Sequence, residues 1–204
     1  MSDEEEQSQR QVSLLESHVG FKLESILNHI LAARDSYTCE HCQRVVALAE
    51  AIGARLALDQ YQMDILSLAA GFHDIGKIGI PDRILFKSGL LSNQEYEEIK
   101  RHSVIGANML RSLSNPLLDE VADCVLHHHE HWDGNGYPDS LSGESIPLLS
   151  RIVAVVDAYD AMTTNRSYRQ PIEKSAALQM IDDQGGRQFC PHAVAALLAE
   201  LSAS

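Results

Sequence analysis

His73-Asp74-Ile75-Gly76-Lys77 brings an imidazole, a carboxylate, a glycine and an ammonium group together in one short stretch. Imidazole nitrogens and carboxylate oxygens are ligands for transition metals, and a carboxylate has two oxygens with which to bridge two cations. The glycine permits a tight turn beside them, and Lys77 places a positive charge one helical turn away. Further along, His128-His129 and Asp157 supply two more imidazoles and another carboxylate. A single buried histidine is ordinarily a hydrogen-bonded core group. Here several of the 10 histidines stand beside turn residues or next to a carboxylate, which points to ligands rather than to packing. A mixed nitrogen and oxygen shell suits iron, manganese, zinc, nickel or cobalt better than calcium or magnesium.

Helices must position these groups. Leu15, Val19, Leu23, Ile26, Leu27, Ile30 and Leu31 recur at helical spacing and predict an amphipathic helix over 12–34, one that can also pair two subunits. A second helix, capped by Asp35, Ser36 or Thr38, carries Val45, Leu48, Ala49 and Ile52 on one face and His41 in its first turns. A third runs from about Gln60 through Ile65, Leu66, Leu68 and Ala69 into His73-Asp74, where Gly76, Gly79 and Pro81 stop it. Ser92 and Glu95 have capping-box spacing and open a helix through Ile99 and His102. Another, from about Leu117, delivers His127-His128-His129 to the glycine-rich loop Trp132–Pro138. Ile146-Pro147 opens the helix that carries Asp157, and two more lie near 173–183 and 191–201. Strand-like alternation is scarce, so the fold class is all-α, an irregular bundle of about eight helices.

With 204 residues and 45% hydrophobic content, the chain can bury one substantial core, and one domain is expected. A net charge of -13 repels polyanions, which argues against a nucleic acid polymer or an anionic membrane surface as partner. A phosphate substrate would have to be drawn in by local cations. Residues 1–11, with the run Asp3-Glu4-Glu5-Glu6, read as an acidic disordered tail. The chain has neither a leader-like start nor an apolar run long enough to span a bilayer, so a cytoplasmic location is expected. Cys39 and Cys42 form a lone C-x-x-C without a second pair and read as reduced thiols packed in a helix.

The stretch His73–Lys77, with His128-His129-Glu130 leading into Trp132-Asp133-Gly134-Asn135-Gly136-Tyr137-Pro138, resembles the HD-GYP phosphodiesterases that degrade cyclic di-GMP. The likeness extends over 35–204, taking in Tyr37–His41, Ile78–Pro81, Lys87-Ser88-Gly89, Arg101-His102, Ile105-Gly106, Val156–Thr163 and Arg166–Arg169. It implies an HD-domain-like fold and places metal ligands at His41, His73, Asp74, His102, His128, His129 and Asp157. Asp74 would bridge two divalent ions, iron or manganese first, with zinc, nickel and cobalt also compatible. The catalytic pair would be Asp74 and Lys77. Lys77 would also touch substrate, along with Tyr137, Asp160, Arg166 and Arg169. The expected reaction is attack of a metal-activated hydroxide on cyclic di-GMP, giving linear pGpG or GMP. The Gly-Tyr-Pro loop would lie near partner-binding surfaces, with Tyr137 stacked on a guanine or the whole loop serving simply as a turn.

Two departures from the family pattern matter. Where some members carry a glutamate that supports a third metal, this chain has Tyr37, so a dinuclear site is expected. Where relatives have Phe-Asp-Pro, it has Phe189-Cys190-Pro191. Two other readings remain open at this level: a cyclic-dinucleotide-binding or partner-docking module with weak catalysis, and a phosphohydrolase for another cyclic dinucleotide.

Overall fold

The computed structural model describes residues 36–165 and 170–202, with side chains from residue 40 onward. The expected tail over 1–11, the helix over 12–34 with its dimer, the side chain of Tyr37, and Arg166 and Arg169 lie outside the described residues. Eight α-helices are described: α1 (Ser36–Arg55), α2 (Gln60–Phe72), α3 (Asp82–Leu85), α4 (Asn93–Arg111), α5 (Pro116–His127), α6 (Leu148–Thr163), α7 (Lys174–Asp183) and α8 (Pro191–Ser202). Two short 3-10 turns, Ile75–Gly79 and Gly143–Ser145, complete the order. No strand occurs among the described residues, where a single bridge joins Gly185 to Phe189.

Local chemistry sets several boundaries. Asp59 caps α2 by accepting from the backbone N–H of Gln62 at 2.8 Å, while Gln62 accepts from the N–H of Asp59 at 3.1 Å. Ser92 and Glu95 make the same reciprocal box at the start of α4. Asn115 caps α5, and Pro116 fills its first turn, where a missing N–H costs nothing. The four-residue α3 was not anticipated from periodicity, because one turn is too short to show a period; Pro81 precedes it and Phe86 closes it.

The core lies where α1, α2, α5 and α6 converge, built from Val45, Ile52, Leu66, Phe72, Val121, Val125, Ile152 and Val156. The helix α4 packs against α5 and against the 3-10 turn after α2. That second contact needs glycine: a Cβ on Gly76 would meet the carbonyl oxygen of His102 at 1.9 Å and the nitrogen of Gly106 at 2.6 Å. Backbone therefore lies directly against backbone, bringing the His73-Asp74 turn and His102 to one place.

Candidate metal centre

Five helices or their ends supply the cluster. His41 lies in α1, His73 and Asp74 follow α2, His102 lies in α4, His128 and His129 follow α5, and Asp157 lies in α6. The ligand-type atoms fall into two groups, His41 with His73 and Asp157, and His102 with His128 and His129, each within 4.8 Å. His41, His73, Asp74, His102 and His128 are buried.

Asp74 stands between the groups. Its Oδ2 is 3.5 Å from Nε2 of His73, and its Oδ1 is 3.7 Å from Nε2 of His102. Lys77, one turn on, donates to Oδ2 at 2.5 Å. Burial alone would raise the Asp74 pKa, yet Lys77, His73 and His102 outweigh it and hold the carboxyl well below its ordinary value. Asp74 is thus anionic with one oxygen presented to each group.

The imidazoles are oriented by their other nitrogens. Nδ1 of His73 lies 2.7 Å from the Ala70 carbonyl, that of His102 2.8 Å from Ile99, and that of His128 2.6 Å from Val125. Each carbonyl is three residues back on the same helix and accepts an N–H, which leaves the Nε2 lone pair free and aimed at the cluster. Nε2 of His41 and His73 approach to 3.2 Å, and those of His102 and His128 to 3.4 Å. Between His102 and His128 two Nε2 lone pairs face one another without an intervening proton, an arrangement that a shared cation would satisfy.

Electrostatics separate the two groups. Burial, reinforced by the neighbouring imidazoles, pushes His128 well below its ordinary value, and burial with His102 lowers His129 to about 3. His102 is lowered mainly by burial. All three are neutral at pH 7, the ligating form. His41 differs: burial pushes its pKa down, but Asp157 and Asp160 overcome this and raise it to about 9. The metal-free cluster therefore carries a proton on His41, between two carboxylates.

Asp160 was expected to touch substrate and has a different setting. It is buried, accepts from Nδ1 of His41 at 2.7 Å, and is gripped by Nε and Nη2 of Arg44 at 2.6 and 3.0 Å. Its oxygens thus orient His41 from behind the cluster. Arg44 itself was missed by sequence reasoning; its spacing of three residues from His41 on one helix was the available signal. Glu130 was likewise passed over. It is buried and accepts from the backbone N–H groups of Asp139 and Leu141 at 2.7 and 3.1 Å, so its carboxylate holds the far end of the glycine-rich loop.

That loop lies against the cluster. The Tyr137 N–H donates to the His129 carbonyl at 3.2 Å, and the rings of the two residues lie 4.9 Å apart at 31°. The Trp132 and Asp133 N–H groups donate to the carbonyls of Gln188 and Arg187. Trp132 packs on the core, with the Arg151 guanidinium 5.6 Å from its ring. Beside the cluster opens a small cleft of about 100 Å³ lined by His128, His129, His131, Asp157, Gln188 and Phe189, among others. No helix among the described residues is long and apolar enough to cross a membrane.

The fold and its centre define a class: an all-α domain with a buried histidine–carboxylate cluster fit to bind metal. The model of one family, described as the HD domain, matches residues 25–192, and the chain belongs to that family. A cyclic di-GMP phosphodiesterase of Thermotoga maritima is 40% identical over 178 residues, covering 87% of this chain and 48% of the relative. The cyclic di-GMP phosphodiesterase response regulator RpfG of Xanthomonas campestris is 41% identical over 174 residues, covering 85% and 46%. The chain thus spans about half the length of these curated relatives. A solved cyclic GMP-AMP specific phosphodiesterase of V. cholerae shares the fold with a TM-score of 0.67 at 22% identity, over 91% of this chain and 48% of that one.

Proposed function

We propose that this domain hydrolyses cyclic di-GMP in a metal-dependent reaction, releasing linear pGpG, or GMP if both diesters are cut. The observation that carries the reading is Asp74, whose two oxygens face separate histidine groups while Lys77 binds one of them. The donor set fits two divalent ions, iron or manganese before zinc, nickel or cobalt: His41, His73 and Asp157 for one, His102, His128 and His129 for the other, with Asp74 shared. Such ions supply an activated water and positive charge for the phosphoryl oxygens.

The chain's own residues do the rest. Lys77 is part-exposed at the cluster and meets negative charge growing on the non-bridging oxygens. The backbone-anchored imidazoles keep their lone pairs fixed, so no reorganisation is needed when substrate arrives. Tyr137, packed on His129, and the mainly polar cleft beside Asp157 border the centre and offer a surface for the nucleosides. Arg166 and Arg169 extend the cationic contacts to substrate phosphates.

The test is anaerobic incubation with cyclic di-GMP and Mn²⁺ or Fe²⁺, with Asp74→Ala alongside and products separated by chromatography. Conversion by the parent alone supports the reading, while equal behaviour of the two proteins removes it. The base preference is a separate matter, because the centre specifies phosphorus chemistry and not the base, and the V. cholerae neighbour is described as cyclic GMP-AMP specific. A panel of cyclic dinucleotides under the same conditions decides between them. Binding without turnover under any metal would favour the docking-module alternative.

A further inference from the structure

Tyr96 and Lys100 lie four residues apart in α4, on one face of the helix that also carries His102. The Lys100 ammonium sits 5.0 Å from the Tyr96 ring centroid and 5.3 Å from that of Tyr137. Tyr137 in turn lies on His129, so a continuous line of contacts leads from the metal centre to the rim. Burial first, then Tyr96, Asp74 and Asp157, raise the Tyr137 phenol's pKa, which agrees with a ring placed between the rim tyrosine and the acid pair.

We propose that Lys100, held between the faces of Tyr96 and Tyr137, forms an outer subsite for the second, uncut phosphate of a cyclic dinucleotide; the identity of the ligand rests on the reading above. A cyclic dinucleotide carries two phosphodiesters. With one at Asp74 and Lys77, the other must be met at some distance along the wall. The two aromatic faces hold the ammonium by cation–π attraction and limit where it can go. The present partner of Lys100 is Glu97 at 2.6 Å, whose side chain is 67% exposed. A pair whose carboxylate is this exposed contributes little and gives way to a phosphate, which accepts a charge-assisted bond from the ammonium. In a chain of net charge -13, long-range attraction does not gather an anion, so a fixed local cation counts for more.

Arg101 is the matched comparison: it follows Lys100, bears the same charge, is 64% exposed and pairs with Glu98. The experiment measures binding of metal-loaded parent, Lys100→Met, Lys100→Arg and Arg101→Met to the phosphorothioate analogue of cyclic di-GMP, which resists hydrolysis. In parallel, KM and kcat are measured for cyclic di-GMP and for bis(4-nitrophenyl) phosphate, which has one phosphodiester. Lys100→Met is expected to weaken analogue binding about tenfold, the effect of one charge-assisted contact, with Lys100→Arg restoring most of it. The rise in KM should be several-fold larger for cyclic di-GMP than for the single diester. Equal losses in Lys100→Met and Arg101→Met, or equal losses on the two substrates, overturn the subsite. Lys100-dependent binding by a parent that turns nothing over leaves the subsite standing and removes the catalytic reading. A parent that binds no analogue removes both.

Discussion

His41 and Asp160, 119 residues apart in sequence, are joined by a hydrogen bond of 2.7 Å between Nδ1 and Oδ2. Arg44 grips the same carboxylate through two nitrogens, so α1 and α6 are locked together directly behind His41, a candidate metal ligand. This is a carboxylate–histidine relay in which the outer partner fixes the tautomer and ring plane of the inner one.

Asp160→Asn is therefore expected to loosen metal binding at His41 by roughly 10- to 100-fold and lower kcat/KM in proportion. Arg44→Met should act in the same direction with a smaller effect, since the carboxylate keeps its bond to His41. Metal titration of both variants checks this. Unchanged affinity in Asp160→Asn would show that His41 needs no support.

The metal-free protein should be most stable near pH 6.5. His41 has its folded pKa raised from 6.5 to about 9, so its contribution is fully present below 6.5 and is lost as pH rises through 9. His102, His128 and His129 have lowered folded values, so below 6.5 the unfolded chain takes up protons that the folded one refuses. Stability then falls on the acid side as well. Thermal melts of chelator-treated protein from pH 5 to 9.5 provide the measurement, and a curve rising steadily across that span would contradict the assignments.

Gly76→Ala should cost about 3 kcal/mol or more, because its Cβ would fall 1.9 Å from the His102 carbonyl oxygen and two backbones would have to separate. Metal affinity should fall with stability, as His102 moves with α4. Gly89→Ala is the control: among the described residues nothing lies within 4 Å of its Cβ, and a change of under about 0.5 kcal/mol is expected. Denaturant midpoints of both variants give the comparison.

Cys190→Asp is expected to stabilise the fold. Among the described residues, Nε of Arg151 is buried without an acceptor, and its Nη1 reaches the Cys190 sulfur at 3.8 Å. A carboxylate at position 190 offers that guanidinium an ionic partner, with a gain of about 1 kcal/mol and a rise of a few degrees in Tm. A lower Tm would mean that desolvating the new carboxylate costs more than the pair returns.

Much of the scaffold was legible because its signals are local. The Ser92–Glu95 box, Pro116 at the head of α5 and the glycines after His73-Asp74 act within one or two turns, and the helix bounds follow them closely. The short α3 escaped because one turn shows no period. Residue type was enough to nominate the imidazoles and carboxylates at 73, 74, 128, 129 and 157, whereas His41 and His102 were selected by family likeness.

What the sequence by itself determined is chemical inventory and local shape: an all-helical chain, ligand-type residues at helix ends, and a glycine-marked turn after His73-Asp74. What the tertiary structure decided is convergence and division of labour. Asp160 has the same carboxylate as Asp157, and only the packing of α1 on α6 places one against Arg44 behind His41 and the other among the ligand atoms. Glu130, adjacent to two imidazoles, turns away to hold loop backbone, and Lys100 reaches two tyrosines from different parts of the chain. Those roles depend on distances between segments separated by tens of residues, which are set by core packing and backbone contact rather than by any property of the residues alone.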